Sequence, residues 1–481
     1  MIHLSYTSYL KCTFVLLLSI VKTLTAQEQL SPPMDWLYRI EKAAAIKLVT
    51  AAQGKNYIIG TQSDATKAFT TFYTPYKKKT STTSQKLPFS APPSSCQLFL
   101  HCLDEHGKTL WQQSWLSSDK NNLAIQALAV DQGNNVHLMG TFKGQVNFDP
   151  SLTPTGLHKT TKGDSLLYLL QLHPEGGLIN ITIYPSTLLQ SKGTVISLQL
   201  DYQQDYLYLL QNDGTYSKLT TNGEVVWSKK VLGNNHYNEF TLEPSNIAVD
   251  RKNNLYILRY SDYHAEEGQT NDNVFPVPSS ILKIAPTGEK IWESSIHTNS
   301  KTSFVVNEKG QIYWWSSLLN TRWTGTEQHF KVYLQATLLL GKIDVDGQEL
   351  WQKRFLTEDG AKASDLTLVN EEELYATYTK RTYLKQFGAQ LDTTLITQKP
   401  ISKNIKVFDL EGQERWQYTF PFQQIEQDQL KLHYDKTSKK LLFWGAVAPT
   451  SDLDVHPQRK FPAGRSSSAQ VFQWSPVLPR P

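Results

Sequence analysis

The sequence predicts an all-β protein, a β-propeller of seven four-stranded blades closed by pairing of its C-terminal strand with its N-terminal blade. Three observations predict it. A Gly-x-x-x-Trp turn recurs along the chain, beginning at His106-Gly-Lys-Thr-Leu-Trp111. Between copies run short period-2 segments rich in β-branched and aromatic residues, bounded by Asn/Asp/Gly turns, which read as antiparallel hairpins. The two ends of the chain carry incomplete copies that complement one another.

Taken in chain order, the N-terminus reads as a signal peptide over 1–26. Lys11 supplies the positive charge, Cys12–Val21 an apolar stretch, and Thr23-Leu-Thr-Ala26 a small-residue cleavage site before Gln27. That stretch is about ten residues, short of a bilayer span, and nothing later in the chain is longer. No Leu-x-x-Cys lipobox sits at the cleavage point. Residues 27–481 are expected to form one propeller domain of an exported protein, extracellular, periplasmic or attached to the outer surface.

The N-terminal fragment begins with Asp35-Trp-Leu-Tyr-Arg39 and continues through Ile46–Thr50 and Tyr57–Gly60. Six fuller units follow at 96–141, 165–211, 213–260, 280–317, 337–379 and 404–447, each read as strands A to D of one blade. Further copies of the turn are Asn222–Trp227, Thr287–Trp292, Asp346–Trp351 and Glu411–Trp416, and the unit at 165–211 has Gly177 and Ile181 in the Gly and Trp places. Glycine suits the positive φ of a tight turn, and a tryptophan at fixed offset packs between neighbouring sheets. The last segment, Ala469–Trp474, looks like a strand A with nothing after it. Pairing it with the strand around Trp36 completes a blade and removes two free edges. Radial stacking buries both apolar faces of each sheet.

Cys96 and Cys102 fall in one predicted strand, ~20 Å apart at strand rise, beyond the ~7 Å limit for a bridge. Both read as unpaired core thiols.

These units resemble the bacterial secreted β-propeller repeats known as SBBP repeats. The resemblance is carried by Gly140-Thr-Phe-Lys-Gly-Gln-Val-Asn-Phe-Asp-Pro150, then Gly163–Leu172, with Asp452–Pro457 as a worn second copy. The Gly-x-x-x-Trp turn is also similar to the repeats of pyrroloquinoline-quinone enzymes and of the outer-membrane assembly propeller. A quinoprotein would imply eight blades, a vicinal disulfide and calcium ligands; the count here is seven and adjacent cysteines are absent from the sequence.

Basic and acidic residues nearly balance, 48 against 44, which does not suggest a nucleic-acid partner. No H-E-x-x-H, C-x-x-C, Gly-x-Ser-x-Gly or phosphate-loop motif occurs, so no catalytic residue, metal or cofactor is expected. Asp149 and Asp454 are too few for calcium, which takes 6–8 oxygens; a turn before proline accounts for them. Length concentrates in D-to-A loops at 62–95, 142–165, 261–279, 317–334, 380–403 and 450–468, all expected on one face. The first holds Lys77, Lys78 and Lys79; the fifth holds Lys380, Arg381 and Lys385; Arg322 and Trp323 add a stacking contact in the fourth, while 261–279 is acidic. The expected function is a non-enzymatic binding or scaffold module at the cell envelope, monomeric, holding a protein or anionic glycan on that face. The alternative is a propeller enzyme, either a polysaccharide lyase or hydrolase or a quinoprotein dehydrogenase.

Overall fold

The computed structural model describes residues 34–41, 44–52, 54–62, 69–73, 97–116, 123–149, 157–160, 165–184, 195–230, 247–260, 278–298, 302–326, 329–357, 360–381, 384–387, 402–420, 431–436, 438–447 and 468–474. All regular structure among them is β-strand.

The chain opens with β1 (Met34–Glu41), β2 (Ala44–Ala52), β3 (Lys55–Gln62), β4 (Phe69–Tyr73), β5 (Gln97–Leu103) and β6 (Thr109–Leu116), of which β2-β3-β5-β6 form one sheet in that order. Next come β7 (Leu123–Val130), β8 (Val136–Lys143), the short β9 (Gln145–Asn147) and β10 (Leu157–Lys159), β11 (Ser165–Leu172) and β12 (Leu178–Tyr184), with sheet order β7-β8-β11-β12. A third sheet is β13 (Val195–Leu200), β14 (Tyr206–Gln211), β15 (Thr215–Thr220) and β16 (Val225–Lys230). The fourth is β17 (Ile247–Val249), β18 (Leu255–Tyr260), β19 (Pro278–Ile284) and β20 (Lys290–His297). Then follow β21 (Ser303–Val306), β22 (Ile312–Thr326), β23 (His329–Ile343) and β24 (Glu349–Thr357), and after them β25 (Gly360–Val369), β26 (Glu373–Arg381), β27 (Leu384–Phe387), β28 (Ser402–Asp409) and β29 (Glu414–Phe420). Strand β27 leaves its own sheet, β25-β26-β28-β29, and pairs with β23. The chain ends with β30 (Lys431–Asp435), β31 (Lys440–Val447) and β32 (Ser468–Trp474), in a sheet ordered β30-β31-β32-β1-β4.

The terminal pairing expected from the sequence is present. β32 lies between β31 and β1, with Leu37 opposite Phe472 and Ile40 opposite Ala469. The phase of the repeat differs from expectation. Each sheet combines strands C and D of one sequence unit with strands A and B of the next, because D pairs directly with the following A: β8 with β11 from Val136↔Leu172 to Lys143↔Ser165. The B-to-C connections cross between sheets instead. The Gly-x-x-x-Trp hairpin is therefore the outer half of a sheet, not its start.

The first strands of the sheets meet in sequence. β2 packs on β7, β7 on β13, β13 on β17, β17 on β21, β21 on β25, β25 on β30, and β30 on β2. Apolar clusters fill the spaces between sheets; one joins Tyr57, Leu100 and Trp115 to Leu138, Phe142 and Leu170, another joins Tyr313 and Leu340 to Leu366 and Phe408.

The repeat tryptophans Trp111, Trp227, Trp292 and Trp351 each dock on the outer turn of the next sheet in the chain. The Nε1 of Trp111 donates to the Pro174 carbonyl at 2.6 Å, Trp227 to Pro286 at 3.0 Å and Trp292 to Val345 at 3.0 Å. The glycine of that turn lies flat under the indole. A Cβ on Gly347 would sit 2.8 Å from Cδ2 of Trp292, and Gly347 has φ +88°. In the unit lacking a tryptophan, the positive φ belongs to Gly176 (+87°), not Gly177, so the tryptophan position is Asn180 rather than Ile181. There the sheets are joined by polar contacts, with Tyr184 Oη donating to the Gly223 carbonyl at 2.7 Å and Thr182 Oγ1 to the Asn222 carbonyl at 3.1 Å.

The most specific sequence passage, 140–150, has a packing role. Phe142, Val146 and Phe148 are buried with Tyr168, and Trp115 Nε1 donates to the Phe148 carbonyl at 3.2 Å, so β9 clamps the outer part of the preceding sheet. Cys102 is a buried free thiol, which burial pushes up to about 12; Cys96 lies outside the described residues.

Candidate functional site

Antiparallel order puts the turns between first and second strands, and between third and fourth strands, at one end of every sheet. The long second-to-third connections lie at the other end. Both ends carry candidate features.

At the short-turn end, Asp131, Asp201, Asp250, Asn307 and Asp435 close five of the first-to-second turns by accepting from backbone amides ahead of them, and Asn370 holds the corresponding place in the β25–β26 turn, where its Oδ1 accepts from the Tyr434 hydroxyl. Asp250 Oδ1 accepts from the amides of Lys252 and Asn254 at 2.8 and 2.9 Å, and its Oδ2 accepts from the Tyr256 hydroxyl at 2.9 Å. Asn307 Oδ1 accepts from Lys309 and Gln311 in the same way, at 3.1 and 2.8 Å. The residue after each Asp or Asn faces the neighbouring turn. Arg251 pairs with Glu308 at 3.2 Å, the Glu308 amide donates to Glu371 at 2.9 Å, and Lys436 pairs with Glu371 at 3.0 Å. Arg251 Nε also donates to the Tyr202 hydroxyl at 2.8 Å, and the Gly54 amide donates to Asp435 at 2.9 Å. Turns from six sheets are thus linked in one line.

A cleft of about 420 Å³ opens beside this line. Its lining balances Arg251, Lys309 and Lys342 against Glu308, Glu371 and Glu411. The Lys342 side chain is 7% exposed and its Nζ lies 3.1 Å from Glu411. Burial works against its charge, but the Glu411 carboxylate and the neighbouring Tyr313 outweigh burial and hold it above the usual lysine range. Tyr313 is fully buried, 5.3 Å from that ammonium, and its hydroxyl makes no hydrogen bond of normal geometry. Such a lining suits a small polar ligand with both donors and acceptors. Although the turns here are short, adjoining turns from three sheets make the walls. The signal in the sequence was the position after each turn Asp or Asn, where Arg251, Glu308, Glu371 and Lys436 recur.

Tyrosines missed by sequence reasoning stand behind these turns. Tyr57, Tyr208, Tyr256 and Tyr375 sit near the start of the strand that follows the turn, third in β3, β14 and β26 and second in β18, and each lies about 6 Å from its sheet's repeat tryptophan: 6.2, 6.1, 6.1 and 5.8 Å. His137 replaces tyrosine in one sheet, where Asn180 also replaces tryptophan. Its Nε2 lies 3.1 Å from Asp131. Burial raises the Asp131 carboxyl, but hydrogen bonds from His137 and Asn135 more than offset that and hold it below the ordinary aspartate range.

At the long-connection end, Lys77, Lys78 and Lys79 lie outside the described residues. Within the expected loop at 317–334, the described residues 317–326 and 329–334 are instead strand. β22 and β23 pair from Ile312↔Ile343 to Thr326↔His329, so Asn320–Thr326 runs ~23 Å past the main sheet. The run Thr-Arg-Trp-Thr, then Phe-Lys-Val-Tyr, is rich in β-formers, which explains the difference. β27 adds to this ribbon, with Lys385 opposite Val332 and Val332 opposite Trp323. Arg322 is one position away, opposite Tyr333. Lys380 and Arg381 end β26, opposite Ala361 and Gly360. The backbone thus brings Arg322, Trp323 and Lys385 into one three-stranded ribbon. Asp149 donates its amide to Asn147 Oδ1 at 3.0 Å, a turn contact, and Asp454 lies outside the described residues. Among the described residues no group of three His, Cys, Asp or Glu side chains is arranged to hold a metal, and no helix is long and apolar enough to cross a membrane.

No family model and no curated protein matches the chain. Solved structures do. A protein of unknown function from Bacteroides caccae aligns with 9% identity over 67% of this chain and 89% of its own, TM-score 0.33. BamB from Moraxella catarrhalis aligns with 9% identity over 92% and 99%, TM-score 0.35, and the Dos1 propeller with 10% identity over 92% and 94%, TM-score 0.40. These superpositions are loose, and the propeller-type sheet architecture rests on the strand order and sheet-to-sheet contacts given above.

Proposed function

We propose that this chain is an exported, seven-bladed, closed β-propeller that serves as a binding or scaffold module for a protein or anionic glycan partner at the cell envelope. Closure is supported by the cyclic contacts of the first strands and by β32 seated between β31 and β1. Export follows from the signal-peptide pattern of residues 1–26, and mass analysis of the exported protein should find it starting near Gln27. A chain that keeps Met1 would refute export by this route.

The observation that carries the binding reading is the β22–β23–β27 ribbon. A scaffold of interlocked sheets extends one hairpin beyond its sheet, and a connection from the next sheet braces it. Arg322, Trp323 and Lys385 stand on that ribbon, Lys380 and Arg381 add positive charge on the same long-connection side, and the sequence carries the Lys77–Lys79 run between β4 and β5. Rigid presentation of a basic, aromatic platform suits a partner bearing carboxylates or sulfates. The test is a glycan array and an envelope pull-down at rising salt, with Arg322→Glu/Lys385→Glu and with Lys77, Lys78 and Lys79 reversed to Glu. Binding should weaken in both variants and at high salt. Binding that survives all three refutes the assignment, and turnover in a polysaccharide screen, or uptake of pyrroloquinoline quinone with calcium, would replace it with the enzyme reading. The charge-balanced cleft at the short-turn end favours a second ligand site for a small polar molecule, to be tested by Glu371→Gln against a panel of amino acids and sugars.

A further inference from the structure

We infer that β24 is a docking edge, and that an extended partner segment carrying an acidic residue with an aliphatic residue two positions away adds to it as an antiparallel strand. The inference rests on the binding-module reading for the existence of a partner and deepens it by naming the partner's chemistry.

The chain itself shows how its free edges are used. The outer strand β1 does not end its sheet, because β4, drawn from the connection between β3 and β5, adds to it with Leu37 opposite Tyr73 and Glu41 opposite Phe69. β27 does the same to β23, from the connection between β26 and β28. Twice, then, a short extended segment completes an open edge. The outer strands of the other sheets have no such cover among the described residues. An edge of this kind leaves every second residue's amide and carbonyl without a strand partner.

β24 stands out among these edges. It has 9 residues, against 6 to 8 in β6, β12, β16, β20 and β29. One of its faces is committed: Trp351 lies over Gly412, and Phe355 stacks on Phe408 at 5.0 Å. The alternate residues Gln352, Arg354 and Leu356 belong to the other face, with Leu356 77% exposed, while Leu350 is the unpaired residue of the bulge that starts the strand. A polar, basic, aliphatic row at two-residue spacing selects its complement on an incoming strand. β27 lies on the same side of β23 as β24 and carries the edge onward from Ala336 to Phe330, giving roughly 45 Å of edge at strand rise. A second copy of β24 is a poor occupant. Two-fold antiparallel pairing about its middle residue sets Lys353 opposite Lys353, and like charges in register repel.

The test uses the full mature chain and a fluorescent nonapeptide, Ser-Val-Ser-Glu-Ser-Thr-Ser-Val-Ser, blocked at both ends, whose first Val, Glu and Thr match Leu356, Arg354 and Gln352. Two N-methylated forms block one hydrogen-bonding edge each. Anisotropy should show binding of the parent and of one methylated form only. Arg354→Glu should weaken binding about tenfold, as loss of an attraction and gain of a repulsion of ~0.7 kcal/mol each implies, and a Glu-to-Lys peptide should restore it. The inference fails if the parent peptide does not bind, if both methylated forms bind alike, if Arg354→Glu changes nothing, or if the edge is instead closed by a dimer that Leu356→Glu dissociates. If the peptide fails while binding sensitive to Arg322 and Lys385 persists, the docking edge is wrong and the binding-module reading stands.

Discussion

Replacing Gly347 by alanine probes how the sheets are held to one another. At φ +88° a side chain sits in the left-handed region, at a cost of ~1–2 kcal/mol. The new Cβ would also lie 2.8 Å from Cδ2 and 3.0 Å from Cε3 of Trp292. These are rigid ring atoms, and the indole is tied by its Nε1 to the Val345 carbonyl in the same turn, at 3.0 Å. Relief requires lifting the ring, which strains the packing and weakens that bond by ~1–2 kcal/mol. The expected loss is ~2–4 kcal/mol. Gly54→Ala is the matched control: φ is +75° with no atom within 4 Å of the added Cβ, so only the backbone cost of ~1–2 kcal/mol applies. Urea unfolding followed by tryptophan fluorescence should rank Gly347→Ala well below Gly54→Ala. In a Trp292→Ala background, Gly347→Ala should cost no more than the control, the signature of a direct coupling. Equal losses for the two glycine variants, or an unchanged cost without Trp292, would refute the interlock.

Deleting residues 468–481 removes β32 from between β31 and β1 and exposes both as edges; the truncated chain should melt far below the intact one, and an unchanged melting point would disprove closure by this strand. Asp131→Asn should destabilise at neutral pH. Because the native carboxyl is held below its ordinary range, its stabilisation is present above the unfolded-state value and vanishes as pH falls through the native value, so variant and wild type should converge in unfolding midpoint as acid titrates the native carboxyl; a gap that persists in strong acid contradicts the assignment. Cys102 should resist thiol reagents at pH 8 until the protein unfolds, since burial lifts it to about 12; labelling in the native state, lost in Cys102→Ser, would show that the thiol is accessible.

Much of the fold was legible because its signals are local. A Gly-x-x-x-Trp hairpin needs a positive φ and an aromatic at a fixed offset, and both can be read within six residues. The pairing of the two terminal strands was legible too, since incomplete repeats at the two ends imply one another. The grouping of strands into sheets was not. Strands A to D occur in that order along the chain whichever hairpin opens the sheet, and only the pairing of β8 with β11 and its counterparts decides the phase. The degenerate copy shows the same limit: Gly176 and Gly177 are neighbours in sequence, and only the backbone angle of +87° selects Gly176.

The candidate sites divide on the same principle. Arg322, Trp323 and Lys385 were visible as a basic and aromatic cluster, yet they read as loop residues. β-propensity alone does not say whether a stretch finds a partner strand, and β22, β23 and β27 supply one another's partners. The cleft at the short turns escaped notice because its charges are spaced about sixty residues apart, one per repeat, and meet only when neighbouring sheets stack. The sequence by itself determined the all-β class, the repeat, the turn chemistry and the pairing of the two ends, since each depends on backbone preferences within a few residues or on counting. The tertiary structure alone decided which strands share a sheet, which glycine lies under which indole, and which charges face one another, because those depend on distances between segments that the chain's order does not encode.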